Sequence, residues 1–476
     1  MPLRHIDQAN LDYYLLLFDS DGNERPEQDG TLLSETLRKV VQDGVTDVFV
    51  SSHGWMGDIP AAIRQYDPWI TAMAAQADDR DRARAIDPRF KTVIVGIHWP
   101  SLPWGNEDAW AALLGDDEMD EFAAELPMTA DELVQRYANR IADTDAARAA
   151  LTTILAATED EEVEAQLAEG TLSPHLEQAY QTLFDEAGLG LAGAGAAPGS
   201  DQGTFSPALI ISEWESAAKE AAPSGPGGTP GPDEGPGLLG GGRGSLKDIL
   251  LSPVRQMSFW SMKHRARHVG ETGVHALLIE LQKSASTARF HLMGHSFGCI
   301  VVSAAISGPL DQGTITSRLP RPVHSLFLVQ GAMSLWSFAE SVPFAPNAPG
   351  YFRPIDVAPA LVSGPIVTTR SAFDRAVGTF FPLGAKLGDE VLLGPADLPE
   401  FGGVGTFGIQ GTAAIHDMQV LNADADYGFD VGQFFNVDAS TVIRHGGWPS
   451  GAHSDIAHAE IAHVFWQAAL SGIANS

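Results

Sequence analysis

Apolar and polar residues alternate along the first part of the chain in two distinct patterns. Runs apolar enough for a buried strand occupy residues 11–19, 45–51 and 92–98. Between them, residues 32–42 and 60–75 carry apolar side chains at the spacing of a helix. Strands that alternate with helices predict a mostly parallel sheet with helices on both faces. We therefore expect an α/β fold.

The same alternation returns in the last part of the chain, after a long predicted helix over Phe259–Lys283. The strands predicted there cover residues 290–293, 324–330, 365–369 and 433–443. A closing helix is predicted over residues 455–470, with Ser454 as its N-cap. Residues 382–430 are Gly-rich and show no regular pattern. We expect these strands to join the sheet of the first part.

The middle of the chain has a different composition. Residues 107–187 are rich in Ala, Glu and Asp and contain a capping box from Thr129 to Glu132, so helices are predicted there. Gly- and Pro-rich tracts follow at 188–203 and 223–244, which is typical of linkers and surface loops. The helical region therefore interrupts the α/β pattern.

These patterns divide the 476 residues into three parts. Residues 1–105 and 251–476 are predicted to form the two halves of one α/β core. Residues 106–250 are predicted to form a large helical cap insertion with Gly/Pro-rich linkers. The C-terminal half of the core carries most of the chemistry described below.

The formal net charge of the chain is −32. A surface this acidic repels phosphates, so neither nucleic acid nor anionic lipid headgroups are expected partners. The sequence has no uninterrupted apolar stretch of membrane length, so stable membrane insertion is not expected. Its first apolar run, Tyr13–Phe18, is too short and too late for a signal peptide. The predicted location is the cytoplasm, and the oligomeric state stays open.

Cys299 is the single cysteine of the chain, so neither a disulfide framework nor a Cys-based zinc site is expected, and Cys299 itself is predicted to be a small core residue. Residues 188–193 and 403–408 both match the glycine pattern of a dinucleotide fingerprint. That fingerprint needs a strand before it and a helix after it, and neither segment follows a convincing strand. His, Asp and Glu residues also lack metal-ligand spacing, so we predict no cofactor and no metal.

The strongest chemical signal is Ser296, at the centre of Gly294-His295-Ser296-Phe297-Gly298. An apolar run precedes this pentapeptide and a small, apolar run follows it, which predicts a strand that turns sharply into a helix. Such a turn lifts the central serine to its apex, and the flanking glycines leave room for the backbone. Ser296 is therefore a candidate nucleophile.

A serine hydroxyl becomes a useful nucleophile when a histidine, itself held by an acid, takes its proton. For the acid we select Asp374, because it lies in the loop just after the strand that ends near Thr369. Asp356 is the main rival, but the residues before it do not form a predicted strand end. For the base we select His453, between the last strand and the closing helix, with His445 as the alternative.

Acyl transfer also needs two N–H donors that face the developing oxyanion. The backbone N–H groups of Phe297 and of Trp55 are predicted to supply them, because Trp55 follows His53-Gly54 in the loop after an earlier strand. Four side chains near predicted strand ends are expected to contact substrate: Trp55, Trp99, Trp104 and His295.

With these residues in this order, the chain resembles an α/β-hydrolase of the lipase and esterase type. The resemblance covers residues of about 11–105 and 255–475, and the helical region between them matches no subfamily. It implies a mostly parallel α/β-hydrolase sheet and a triad of Ser296, Asp374 and His453. Insertions above the carboxyl ends of the strands would shape the substrate pocket.

We expect a serine hydrolase that cleaves carboxylic esters with apolar acyl or alcohol groups, acting on a small-molecule or lipid-like substrate. An amidase, peptidase, thioesterase or acyltransferase that uses the same triad is the alternative. A non-catalytic scaffold on the same fold is a third hypothesis, and the presence of all three triad residue types argues against it.

Overall fold

The structure is a computed structural model that describes most of the chain. The described residues are 3–54, 59–101, 129–189, 205–212, 246–311, 314–343, 349–357, 361–377, 398–399, 402–446 and 451–474. Within them, helices surround a nine-stranded sheet that is parallel except at one edge. The predicted α/β class with a mostly parallel sheet is therefore confirmed.

Eleven strands are present in the described residues. They are β1 (Leu3–Ile6), β2 (Leu11–Leu17), β3 (Asp47–Ser52), β4 (Thr92–His98), β5 (Arg289–His295), β6 (Leu310–Asp311), β7 (Thr314–Ile315), β8 (Ser325–Val329), β9 (Ile366–Arg370), β10 (Ile415–Gln419) and β11 (Phe434–Asp438). The large sheet has the order β1-β2-β4-β3-β5-β8-β9-β11-β10, and β6 and β7 pair separately. Only β1 runs antiparallel to its neighbour in the large sheet.

The helices of the described residues cover both faces of this sheet. They include α1 (Leu33–Gln42), α2 (Ile59–Ala75), α3 (Ala77–Ile86), α4 (Ala130–Ile141), α5 (Asp145–Ala156), α6 (Glu161–Ala168), α7 (Pro174–Glu186), α8 (Leu246–Val269), α9 (His275–Ser284), α10 (Gly298–Ser307), α11 (Arg353–Val357), α12 (Val404–Phe407) and α13 (Ala459–Ala474). Buried apolar residues of α1 and α8 to α10 form one core against the sheet, and those of α2 and α13 form a second core.

The order in which the chain adds strands to the sheet reverses between β3 and β5, although these two strands are parallel. From β3 the chain goes to β4 on one side, and it then crosses over β3 to place β5, β8 and β9 on the other side. In parallel sheets the carboxyl ends of the strands at such a switch point form a ligand-binding crevice. Ser52 at the end of β3 pairs with Gly294 near the end of β5, so the loops that follow these two strands are neighbours.

A buried ionic cluster holds the opposite end of the same strands together. Arg289 at the start of β5 donates two hydrogen bonds to Asp47 at the start of β3, at 2.8 and 2.7 Å. The Nε2 atom of His291 lies 3.0 Å from the same carboxylate. Burial alone would raise the pKa of Asp47, but these partners outweigh it and hold that pKa well below its usual range. The cluster fixes the register of β3 against β5.

The helices of the middle region pack onto α8 and share its core. The Tyr180 hydroxyl of α7 donates to the Leu250 carbonyl at 2.6 Å, and the apolar side chains of α4, α5 and α7 join the core beneath α8. The capping box predicted at Thr129 and Glu132 is present at the start of α4. Whether this region is a separate cap stays a prediction.

Several elements differ from their predicted form. Helix α3 and the edge strand β1 were not expected, and the irregular segment 382–430 contains the short helix α12 and the added strand β10. The helix before β5 continues through a π-helical turn over Gly270–Val274, where a Cβ at Gly270 would lie 2.5 Å from the Val301 carbonyl of α10. The π turn therefore lies where this helix and α10 approach each other closely.

The predicted N-cap of the closing helix is wrong, because α13 begins at Ala459. Residues 455–458 are not helical, and the Asp455 carboxylate instead accepts the backbone N–H groups of Arg444 and His445 at 3.0 and 2.8 Å. Because its carboxylate binds these two N–H groups of another loop, Asp455 does not begin the helix. Ser454 therefore precedes a loop.

A buried histidine on α13 links three parts of the second core. His463 Nδ1 lies 2.6 Å from the Asp79 carboxylate of α3, and Nε2 lies 2.6 Å from the Ala425 carbonyl. Both partners are acceptors, so these two contacts favour the cationic ring, which carries protons on both nitrogens. Burial alone would lower the pKa of His463, but the bonds to Asp79 and Ala425 outweigh it and raise that pKa.

We predict that this histidine makes stability depend on pH. Because the pKa of His463 is raised in the folded state, its contribution is complete below about pH 6.5, the unfolded value, and is lost as pH rises through the folded pKa. Urea unfolding of the parent and of His463→Gln should therefore differ most at acidic pH and converge as pH rises. A stability difference that is independent of pH would contradict this prediction.

Candidate active site

Ser296 occupies the turn between β5 and α10, as predicted. Its φ angle is +57°, in the left-handed region that non-glycine residues seldom adopt. The Ser296 N–H donates to the Val329 carbonyl at the end of β8 at 3.1 Å, and the Ala332 N–H donates to the Ser296 carbonyl at 3.2 Å. These two bonds hold the strained backbone in place.

The glycines on both sides of Ser296 are required by close backbone contacts. A Cβ at Gly298 would lie 2.1 Å from the Ser52 carbonyl of β3, and a Cβ at Gly294 would lie 2.5 Å from the backbone of Gly298. Neither atom can be accommodated without moving backbone. Cys299, the next residue, is fully buried and its thiol donates to the Gly294 carbonyl at 3.1 Å, so the prediction of a core cysteine is confirmed.

The structure brings the three predicted triad residues together. His453 Nε2 lies 2.7 Å from Ser296 Oγ, and His453 Nδ1 lies 2.8 Å from Asp374 Oδ2. Asp374 and Ser296 are buried, and the His453 side chain is 12% exposed. With Nδ1 protonated and bonded to the carboxylate, Nε2 has a lone pair directed at the hydroxyl. This arrangement can take a proton from Ser296.

The rival residues lie in other surroundings. The Asp356 carboxylate is paired with Arg353 and accepts the Thr412 hydroxyl at 3.0 Å. The side chain of His445 is 76% exposed, and its Nδ1 lies 3.4 Å from Asp455. The hydrogen-bonded chain to Ser296 therefore runs through His453 and Asp374.

The loops that carry the base and the acid are joined through their backbones. The Ala452 N–H donates to the Phe373 carbonyl at 2.9 Å, and Asp374 and Gly451 form an isolated antiparallel bridge. The φ angle of Gly451 is +61°, and a Cβ there would lie 2.4 Å from the Phe373 carbonyl. A glycine is therefore needed where the two loops meet.

His295 was predicted to contact substrate, and the structure places it behind the base. Its Nε2 lies 2.9 Å from the His453 carbonyl, and its Nδ1 lies 2.9 Å from the Gln65 amide nitrogen of α2. Burial, assisted by nearby His453, lowers the pKa of His295 to about 3, so the ring is neutral. Its Nε2–H then donates to the His453 loop while Nδ1 accepts from Gln65. A contact with substrate stays a prediction.

The loop after β3 approaches the nucleophile closely. A Cβ at Gly54 would lie 2.6 Å from Ser296 Cβ and 3.1 Å from its Oγ, so the backbone of Gly54 lies against the serine. The loop is held by Tyr66, whose hydroxyl accepts the His53 N–H at 2.8 Å. Burial, together with His98, lowers the pKa of His53 well below its ordinary value. The loop is thus positioned by neutral, buried groups.

Trp99 supports this loop. It is fully buried, its indole stacks on the His53 ring with centroids 5.9 Å apart, and its Nε1–H donates to the His53 carbonyl at 3.0 Å. These contacts are with protein, and the predicted contact with substrate is not tested by them. Trp55 and Trp104 lie outside the described residues.

Of the two residues predicted to supply oxyanion donors, Phe297 lies within the described residues and Trp55 does not. Phe297 follows Ser296 at the N-terminal end of α10, and its ring packs against Phe259 of α8 with centroids 4.8 Å apart. Helix N-termini direct N–H groups toward a negative charge, which is the property that this role needs. The second donor, Trp55 N–H, follows Gly54, the last described residue of the loop that lies against Ser296.

Sequence patterns did not identify Gln65 or Gln330, although both touch the candidate triad or its supports. Gln65 lies on α2 and meets His295 of β5 from a distant part of the chain. The Gln330 amide, at the end of β8, donates to Asp374 at 2.9 Å. The position of Gln330 immediately after a strand was a usable signal, whereas Gln65 had none.

The described residues hold neither a candidate metal centre nor a candidate membrane span. No group of three or more His, Cys, Asp or Glu side chains there is arranged to hold a metal ion. No helix there is both long enough and apolar enough to cross a bilayer.

The chain was compared with known families, sequences and structures. No family model, no curated protein and no solved structure matches it significantly. The proposals below therefore depend on the geometry of the molecule itself.

We predict that Gly298→Ala disrupts the turn. The new Cβ would lie 2.1 Å from the Ser52 carbonyl, which must move, so a loss of roughly 2 kcal/mol or more in unfolding free energy is expected. Ser303→Ala in the same helix is the matched control, because it removes a buried hydroxyl without a hydrogen-bond partner and should be nearly neutral. Urea unfolding of both variants provides the comparison. Equal stability of the two would show that the turn tolerates a Cβ.

Proposed function

We propose that this protein is a serine hydrolase that cleaves carboxylic esters with apolar acyl or alcohol groups. One observation carries the proposal: Ser296 Oγ, His453 and Asp374 form a continuous hydrogen-bonded chain at the carboxyl end of the parallel sheet. The serine is strained and sits on a turn built by two required glycines. A serine with only a structural role would need neither the strain nor the paired histidine.

The proposed reaction has two halves. Ser296 Oγ attacks the ester carbonyl carbon while His453 Nε2 takes its proton, and the imidazolium then returns that proton to the departing alcohol. A water molecule attacks the acyl-enzyme by the same proton transfers, which releases the carboxylic acid and restores the serine. Asp374 keeps Nδ1 protonated and stabilises the imidazolium in both halves.

The oxyanion of each tetrahedral intermediate would lie between Ser296 and the loop after β3. We assign its two donors to the backbone N–H groups of Phe297 and Trp55. Gly54 supports this assignment, because its backbone lies within van der Waals contact of Ser296 and a side chain there would fill the space. Donors of this kind typically contribute roughly 10²- to 10³-fold to the rate.

The fold supports an α/β-hydrolase of the lipase and esterase type. The nucleophile follows β5 at the switch point of the sheet, and the acid follows β9. The base follows β11, so the Ser, Asp, His order of that family is kept. A helical segment lies between β4 and β5, which is where the proposal places a cap.

We predict that Ser296→Ala lowers the hydrolysis rate of p-nitrophenyl esters by at least about 10³-fold while the variant stays folded. Asp374→Asn should cost roughly 10³- to 10⁴-fold, because the asparagine favours the wrong imidazole tautomer. His445→Ala is the control, since His445 is exposed and outside the chain of hydrogen bonds, and it should keep parental activity. Hydrolysis by Ser296→Ala at the parental rate would exclude the proposal.

A phosphonate probe tests the nucleophile without a choice of substrate. The parent should be labelled at Ser296, and the His453→Ala variant should be labelled far more slowly because the base is lost. A folded parent that is never labelled would favour a non-catalytic scaffold. Rates on the ester, thioester and anilide of one acyl group then separate an esterase from the alternatives, and an anilide rate above the ester rate would overturn the preferred class.

A further inference from the structure

Gln330 combines backbone strain with complete burial directly behind the candidate acid. It follows β8, its side chain is fully buried, and its φ angle is +48°. A left-handed backbone at a residue other than glycine is strained, and it persists where the surroundings impose it. The contacts of Gln330 show which surroundings hold it in this conformation.

The Gln330 amide is fixed at both ends. Its Nε2 donates to Asp374 Oδ2 at 2.9 Å, and its Oε1 accepts the Thr369 hydroxyl at 3.2 Å. The same hydroxyl oxygen accepts the Gln330 backbone N–H at 3.2 Å. Because Thr369 holds the carbonyl end of the amide, its nitrogen end is presented to the carboxylate.

Asp374 Oδ2 accepts hydrogen bonds from two groups, the Gln330 amide and His453 Nδ1 at 2.8 Å. The other oxygen, Oδ1, accepts the Val377 backbone N–H at 3.0 Å. The carboxylate therefore cannot rotate without breaking bonds on both oxygens. Its orientation, and thus the direction in which it holds the imidazole, depends on Gln330.

The Gly-rich segment closes the space behind this pair. A Cβ at Gly405 of α12 would lie 3.1 Å from Asp374 Oδ2 and 2.7 Å from the Gln330 carbonyl carbon. The Gly405 N–H donates to the Gly331 carbonyl, and the Ser371 N–H donates to the Gly405 carbonyl, at 2.9 and 2.8 Å. The backbone of α12 thus occupies the space next to Asp374 Oδ2. The amide that donates to this oxygen is the side chain of Gln330.

We propose that Gln330 is a positioning residue for the hydrolytic triad, acting through Asp374 on the orientation of His453 and on the imidazole tautomer that it holds. This inference rests on the proposed function, because it assigns Gln330 to the same site. The amide is neutral and, in the orientation set by Thr369, can only donate. It therefore supports Asp374 as a carboxylate while His453 carries the transferred proton.

Within the described residues, several ionisable groups lie near the hydrogen-bonded chain from Gln330 to Ser296. His453 faces Asp374 from the loop before α13, and His295 faces His453 from β5. At the neighbouring strand ends, Arg370 and Asp438 pair with each other at 3.1 Å. If a substitution of Gln330 changes the pH dependence of kcat, these are the groups whose titration can contribute to that change.

Two nearly isosteric substitutions of Gln330 distinguish a role as hydrogen-bond donor from a role in packing alone. Gln330→Met fills the space but cannot donate, so we expect kcat for a p-nitrophenyl ester to fall about 10- to 100-fold, with KM within about threefold, at every pH. Gln330→Glu places a second carboxyl against Asp374, and two such groups share one proton. While that proton is bound the variant still donates, so its kcat relative to the parent should fall as pH rises.

The chain contains its own control. Gln467 of α13 donates to the Asp79 carboxylate at 2.8 Å, and Asp79 holds His463, so this buried Gln–Asp–His set repeats the chemistry away from the serine. Gln467→Met and Gln467→Glu should lower stability but leave kcat and its pH profile unchanged. They measure what the loss of a buried amide does to the fold alone.

A proton NMR measurement gives a readout that does not depend on turnover. The His453 Nδ1–H bonded to Asp374 should give a downfield resonance that disappears in His453→Ala. The Gln330 substitutions should move this resonance, and the Gln467 substitutions should leave it in place. A structural role alone would change neither the resonance nor the pH dependence of the Gln330→Glu to parent ratio.

The outcomes distinguish this inference from the proposed function. If the parent is labelled at Ser296 and hydrolyses esters, but both Gln330 variants keep its kcat, pH profile and downfield resonance, only the inference is overturned. If the parent is neither labelled nor active and shows no downfield resonance that disappears in His453→Ala, both fail. A parallel loss of activity in the Gln330 and Gln467 variants, independent of pH, would reduce Gln330 to a packing role.

Discussion

The arrangement of the site depends on the contact between the turn at Ser296 and the end of β3. The Ser52 carbonyl occupies the place where a side chain at position 298 would begin, so α10 can lie against β3 only with a glycine there. At the same turn the serine is in the left-handed region at +57°, and the loop after β3 lies against its side chain. The strain is held by bonds to β8 and by the register that the Asp47–Arg289 pair imposes on β3 and β5.

Much of the fold could be predicted from sequence because its strands are short apolar runs separated by helices of ordinary length. Strand β4 agrees with its predicted bounds, and β3, β8 and β9 agree to within one or two residues. The edge strand β10 could not be predicted, because its residues are largely exposed and lack the apolar pattern of a buried strand. The start of α13 was misplaced because Asp455, which resembles a helix-start residue, binds the backbone of a neighbouring loop.

The residues of the candidate site likewise include some that a local sequence pattern predicts and some that it does not. Ser296, Asp374 and His453 were predictable because each follows a strand, and the parallel sheet gathers such positions at one edge. The hydrogen-bond partners of His295 could not be predicted in this way. Its ring hydrogen bonds to the His453 carbonyl and to Gln65 of α2, and its contact with substrate stays a prediction. Pairings between side chains far apart in sequence leave no local pattern.

The backbone bond between Ala452 and Phe373 joins the loops that carry the base and the acid. His453 and Asp374 therefore belong to one hydrogen-bonded unit that is assembled before any substrate binds. His295, the residue before Ser296, hydrogen bonds to the His453 carbonyl, so this unit is also tied to the strand that carries the serine. In the proposed reaction the proton passes from Ser296 Oγ to the His453 imidazole while the oxygen attacks, so the base and the acid can keep their places and the serine side chain is the part that moves.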